Sequence, residues 1–408
     1  MSINGADTAW MLISTALVML MTPGLALFYG GMVRSKNVLS TIMMSFMSLG
    51  VIGILWALYG YSLAFGTDWG GIIGGLDFIG LRNVGQAPSP LYAPTIPHLA
   101  FMIFQMMFAV ITVGLITGAV VERVKFSAIV IFSIAWFTVV YLPVAHWVWG
   151  GGWLAQLGAL DFAGGMVVHI TAGVSAFAMA FLLGPRKGYQ NGVSMGGHNV
   201  PFVVIGAGLL WFGWFGFNAG SALTSGGLAV STFVATNMAG AAGATTWMLL
   251  SWYYTRPTTT GIVTGAVVGL AAVTPASGYI SPIVGILIGA VAAIISYFAM
   301  RFRSKSRVDE SLDVWACHGM GGTWGTLAAG LFASLAINGH GANGLFYGNP
   351  KQFLIQLAAI AAIWIFSFGM TWIIGKVIDV TMGLRVSETE ESVGLDISQH
   401  GEKAYGGE

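Results

Sequence analysis

Hydrophobic positions in this chain fall into long, nearly unbroken blocks. They do not show the one-sided or alternating patterns of a water-soluble fold. A helix of about 20 mostly apolar residues spans a bilayer. Eleven blocks approach or exceed that length, at roughly 9–31, 41–65, 98–120, 127–148, 161–184, 200–217, 228–253, 260–276, 281–301, 313–336 and 353–378. Gly/Pro clusters and short charged links separate them. The predicted fold class is all-α integral membrane, with eleven transmembrane helices, a membrane domain over 1–378 and a polar tail over 379–408.

Basic residues orient the helices. One set of alternate links, with the tail, holds Arg34, Lys36, Arg123, Lys125, Arg186, Lys187, Arg256, Arg301, Arg303, Lys305, Arg307, Lys376, Arg385 and Lys403, which is 14 of the 16 basic residues. The other set holds only Arg82 and Lys351. Lys and Arg favour the cytoplasmic side, so the N-terminus is expected outside and the C-terminus in the cytoplasm. A missed or invented span would scramble that split. Spans 1–5 and 6–10 then form an inverted repeat, followed by a long eleventh helix. The expected location is the cytoplasmic (inner) membrane.

Composition agrees: 56% of residues are hydrophobic and 8% charged, against roughly 25% charged in soluble domains. The 59 glycines follow no repeat, and in a membrane protein they suit close helix approach. One cysteine, Cys317, excludes an internal disulfide framework and a cysteine-rich metal site. A net charge of +1 gives no reason to expect an acidic partner such as nucleic acid. The N-terminal stretch lacks the basic region of a cleaved secretory signal. The link 66–97 carries Asp68, Asp77, Arg82 and four of the twelve prolines. The tail, with seven of the fifteen acidic residues, suits contact with a soluble partner.

Two histidines lie inside apolar blocks, His169 in GGMVVHITAG and His318 in ACHGMGG, each followed four residues later by glycine. An ionisable group within the membrane is costly and marks a functional site. They occupy spans 5 and 10, the last of each repeat, where inverted repeats build their central sites. At about 1.5 Å per residue, His169 lies about 12 Å beyond Asp161, and His318 about 7–8 Å beyond Asp313 if that residue starts its helix. Contact between them is an expectation that sequence alone does not prove. Two histidines without further ligands make a poor metal site, and no nucleophile–base set for an enzyme is visible. Neutral imidazoles suit a small solute that exchanges hydrogen bonds or a proton. Aromatic residues gather near one end: Phe104, Gln105 and Phe108 in span 3, Trp147, Trp149 and Trp153 after span 4, and WFGWFGFNAGSA in span 6 with Asn218 and Ser221. Some belong to an interfacial belt, and others suit a desolvated cation held over ring faces. Asp161 starts span 5 as a helix cap, and its charge also favours a nearby cation.

These segments resemble the ammonium transporter family (Amt/Mep/Rh), on the Amt/Mep side. The resemblance runs from TPGLALFYGGMVRSKNVL at 22–39 to GLRVSETEESVGLDISQHGEKAYG at 383–406, through FQMMFAVITVGLITGAVVERVKF, AHWVWGGGWL, GALDFAGGMVVHITAG, WFGFNAGSA, TPASGYI and RVDESLDVWACHGMGG. It implies that Phe108, Trp149 and Ser221 recruit ammonium, with Gln105 in the ion's surroundings. Phe108 and Phe217 would be the gating rings, His169 and His318 the paired pore histidines, and Asp161 a structural or electrostatic acid. It implies no cofactor, a homotrimer with one pore per subunit, ammonium or ammonia (and methylammonium) as solute, and a PII signalling protein closing the cytoplasmic mouth. Arg385, Glu388 and Asp396 are the expected tail residues for partner binding and subunit coupling. The chain departs from the family pattern in three places. Glu310 follows Asp309 where Asp-Asp is common, a change expected to keep the charge, and Trp315 and Cys317 flank the second histidine. The expected activity is electrogenic transport in which ammonia and a proton cross separately. The alternatives are an ammonium sensor signalling through the tail and a neutral ammonia channel.

Overall fold

Helix ends fall where the sequence supplies caps and breakers. The computed structural model describes residues 2–189 and 195–406. The Asn4 side chain accepts from the N–H groups of Ala6 and Asp7 and opens α1 (Gly5–Met32). α2 (Ser35–Phe65), α3 (His98–Thr117), α4 (126–148) and α5 (Gly165–Leu183) follow. Asn199 and Thr258 cap α6 (Val200–Gly220) and α8 (Thr259–Val273) in the same way, on either side of α7 (Gly227–Tyr254). Pro282 and Pro350 stand at the first position of α9 (Pro282–Ser304) and α11 (Pro350–Met382), where a missing N–H costs nothing. α10 covers 315–332. Two short helices, α12 (Glu388–Val393) and α13 (Leu395–His400), complete the tail.

Each of the eleven apolar blocks overlies one of α1–α11. Among the described residues, eight of these helices (α1–α6, α9 and α11) are long and apolar enough to cross a membrane. α8 is short, α10 is rich in glycine, and α7 is diluted by Thr232, Thr236, Asn237, Thr245 and Thr246. The helices pack around a continuous apolar core that includes Trp56, Trp136, Trp214, Phe108 and Phe217. The outside of the bundle is also apolar, with Ile54, Phe212 and Ile365 between 55% and 75% exposed. A surface of that kind faces lipid.

The link 66–97 is not a plain loop. β1 (Asp68–Trp69) pairs antiparallel with β2 (Ile73–Gly74), and β3 (Pro88–Ser89) with β4 (Ala93–Pro97). The tail does not hang free. Lys36 Nζ donates to the carbonyls of Glu391 and Ser392, and Ser40 N–H donates to Asp396. Leu395 N–H donates to Asn37, and Lys187 N–H to Glu391. Two of the tail's acidic residues, Glu391 and Asp396, are thus engaged by the chain's own helix ends.

Candidate functional site

Two helix starts build the site. The Asp161 carboxylate accepts from four consecutive N–H groups, those of Gly164, Gly165, Met166 and Val167, at 2.6–3.1 Å. It thereby satisfies all the donors that open α5. At α10 the corresponding acid is Glu310, whose oxygens accept from Val314 N–H at 3.0 Å and Trp315 N–H at 3.1 Å. Asp313, expected to begin that helix, instead sits in the left-handed region (φ 57°) and pairs with Arg303 at 2.6 Å. In both arms the acid precedes its histidine by eight residues, Asp161 to His169 and Glu310 to His318. Both histidines ride on π-helical turns, Gly165–Ile170 and Trp315–Gly319, a distortion that often re-aims side chains at functional sites.

The arms meet. His318 Nδ1 lies 3.2 Å from His169 Nδ1, and the rings are 5.1 Å apart at 29°. One nitrogen must donate and the other accept, so the two rings cannot both be doubly protonated in this arrangement. The paired glycines allow the approach: a Cβ on Gly173 would collide with the backbone of Gly319, and one on Gly322 would sit 2.9 Å from His169 Cβ.

From His169 a line of rings runs toward the 66–97 link. His169 stacks on Phe217 (5.9 Å, 18°), Phe217 lies 4.3 Å from Phe108, and Phe108 meets Trp149 edge-on at 5.8 Å. The Trp149 indole is fixed by donating to the Asp161 carbonyl at 2.9 Å. Beside the histidines lies a cavity of about 10 Å³ walled by Leu25, Phe28, Ile111, Leu115, Val168, Trp214 and Phe217, roughly the room one water-sized solute needs. His169 Nε2 is buried there with no hydrogen-bond partner among the described residues. On the other side of His318 a cavity of about 520 Å³ runs past Cys317, Asp313 and Ser311 to Arg256 and Thr258.

Phe108, Trp149, Phe217, His169 and His318 are thus brought into one line, with Asp161 behind it. Ser221 stands one turn beyond Phe217 and donates its hydroxyl hydrogen to the Phe217 carbonyl, leaving its oxygen free to accept. Gln105 lies on the α3 turn before Phe108, with Oε1 buried and unpartnered. Cys317 borders the larger cavity, whereas Trp315 stacks on Phe177 at 4.7 Å, away from both cavities. Arg385 pairs with Glu391 at 2.7 Å, Asp396 takes the Ser40 N–H, and Glu388 is exposed near Lys187.

Sequence reading missed the network at the tail end. Glu122 binds Arg34, Asn37 and Arg186, and Arg186 also grips Asp309. Burial would raise the Glu122 carboxyl, but Arg186 and Arg34 outweigh it and hold the group below the usual carboxylate range. Glu310 goes the other way. Burial and then Asp313 push it up to about 7, against Arg303 and its two N–H bonds.

Likeness to known proteins runs along nearly the whole chain. The model of the Ammonium Transporter Family matches residues 9–405. An ammonium transporter of Bacillus subtilis is 50% identical over 401 residues, covering 98% of each chain. The crystal structure of Candida albicans Mep2 superposes with a TM-score of 0.90 at 37% identity, over 99% of this chain and 91% of that one. A structure described as a sensor Amt protein also superposes with a TM-score of 0.90, at 28% identity, over 97% and 98% of the two chains. With a family match across nearly its whole length and a half-identical relative, this multi-pass membrane protein belongs to the ammonium transporter family.

Proposed function

We propose that the chain conducts ammonium nitrogen along the ring line, as ammonia with a separately moved proton. The carrying observation is the join between an aromatic mouth and an uncharged, one-solute cavity holding two hydrogen-bonded imidazoles. Ammonium docks among Trp149, Phe108 and Ser221, where ring faces and a hydroxyl oxygen replace water. It passes the Phe108–Phe217 constriction. Carrying a full charge past Leu25, Ile111 and Leu115 costs many kcal/mol, so a proton leaves first. Ammonia then crosses beside the histidines, where His169 Nε2 offers a hydrogen bond, and transport is electrogenic.

The same reading assigns eleven spans, an inverted repeat of α1–α5 and α6–α10, an outside N-terminus and a cytoplasmic tail in the cell membrane. Trimeric assembly and closure by a PII protein belong to it as well. The structural likeness to a sensor Amt protein favours a second reading, a receptor for ammonium. The test is an electrical recording on proteoliposomes during an ammonium jump. Wild type should give a current, and His169→Ala and His318→Ala should each change its size by more than about tenfold or alter its selectivity. Unaltered currents in both variants would make the pair structural. Uptake without current would favour a neutral ammonia channel, and binding without flux the receptor.

A further inference from the structure

His146 ends α4, three residues before Trp149, and its side chain is fully buried. Both of its ring nitrogens face acceptors. Nδ1 lies 2.9 Å from the Ala64 carbonyl, and Nε2 lies 2.8 Å from Asp68 Oδ1. A carbonyl only accepts. The Asp68 carboxylate also accepts on both oxygens, from Gly71 N–H at 2.8 Å and Gln156 Nε2 at 3.4 Å. Filling both bonds needs two N–H donors, which only the doubly protonated ring supplies. Ala64 lies in the last turn of α2, where the free carbonyls favour a cation. The bond from His146 in turn holds the Asp68 carboxyl below the usual range, against burial.

The backbone of the same residue carries the turn that presents Trp149. The His146 carbonyl accepts from Gly150 N–H at 3.0 Å and Gly152 N–H at 2.9 Å. The hairpin containing Asp68 is stitched to this turn at two further points, Trp147 Nε1 to the Ile72 carbonyl and Trp153 N–H to the Gly71 carbonyl. Neither of these is ionic. Other ionisable groups on the neighbouring elements have their own partners: Asp77 takes Thr67 N–H, Asp161 takes the start of α5, and Tyr61 bonds His98. Tyr141 lies on the same helix as His146.

We infer that His146 and Asp68 form an ionic clasp that positions Trp149 for ammonium capture. His146 is a positioning residue, because it acts through the turn and does not touch the solute path.

The inference rests on the transport reading, and the experiment separates the two. Full-length protein in proteoliposomes is challenged with ammonium jumps at one fixed pH, and half-saturating ammonium and maximal current are both read. His146→Gln, which cannot donate from two opposed nitrogens, and Asp68→Asn should each raise half-saturation by about three- to tenfold. Both should keep the maximal current within about twofold, and Asp68→Glu should restore half-saturation. The clasp is overturned if half-saturation stays at the wild-type value in Asp68→Asn, or if only the maximal current falls. Asp68 is on a partly exposed hairpin, so this variant decides the matter even where His146→Gln does not insert. A wild type without current would break the transport reading instead.

Discussion

The α5 arm and the α10 arm share one plan and differ in their surroundings. Each has an acid, a π-helical turn and a histidine eight residues on. Asp161 takes four N–H groups and touches no cationic side chain among the described hydrogen bonds and ion pairs. Glu310 takes two N–H groups and lies beside the Arg303–Asp313 pair. His169 is held between Phe217 and Trp214, with ring centroids at 5.9 and 5.5 Å, while His318 opens onto the 520 Å³ cavity. The two arms therefore share the register of acid and histidine, and local packing decides what surrounds each. Both histidines line the small apolar cavity, and His318 alone also borders the larger one that reaches Asp313 and Arg256.

The largest break in this comparison should come from the α5 cap. Asp161→Ala strands four buried donors. At about 1–3 kcal/mol for each buried unpaired group, the loss rivals the roughly 5–15 kcal/mol of net stability of an ordinary domain. The variant should fail to accumulate or should melt far below wild type in detergent. Asp161→Asn, which keeps one accepting oxygen, should fall between them. Glu310→Ala strands two donors and should cost less. Equal losses in the two alanine variants would mean that the count of capped N–H groups does not distinguish the arms.

A smaller effect separates the acids by pH. Glu310 is raised from an ordinary value of 4.5 to about 7. The folded state then binds more protons than the unfolded state between those values, and stability from this group is lost as pH rises through that window. Melting in detergent from pH 5 to pH 8 should show this slope, and Glu310→Gln should remove it at the cost of one cap bond. A slope of the same size in Glu310→Gln would assign the titration elsewhere.

Much of the α5 arm was legible in the sequence. A histidine inside an apolar block is conspicuous by its cost, and LDFAGG reads as a helix start. The α10 arm was legible only in part. Asp313 looked like the first helical residue because it adjoins the apolar block, yet it faces Arg303, and the cap comes from Glu310 three residues earlier. Period counting does not find a π-helical turn, because the extra residue per turn leaves no mark in an all-apolar stretch. The Glu122–Arg186–Asp309 network was hidden for another reason. Its charges lie in three separate links, and each link alone reads as ordinary cytoplasmic charge. His146 was hidden within HWVWGGGW, where the tryptophans drew the functional reading.

The smallest expected effect tests whether the tail acts on one arm only. α13 is pinned to the start of α2 by the Ser40–Asp396 and Leu395–Asn37 bonds, and Asn37 also binds Glu122. Glu122 leads through Arg186 to Asp309, the neighbour of Glu310. Among the described hydrogen bonds and ion pairs, none links the tail to Trp149 or Asp161. Asp396→Ala removes one charge-assisted bond, worth about 1.5–3 kcal/mol locally, from a tail that keeps its other contacts. Hydrogen exchange over 384–400 should quicken. The maximal current should change by about twofold at most, as expected for a loosened but still docked element. Half-saturating ammonium, set at the far end by Trp149, should not move. A shift in half-saturation would show that the tail reaches the aromatic mouth, and the two arms could then no longer be treated as separately controlled.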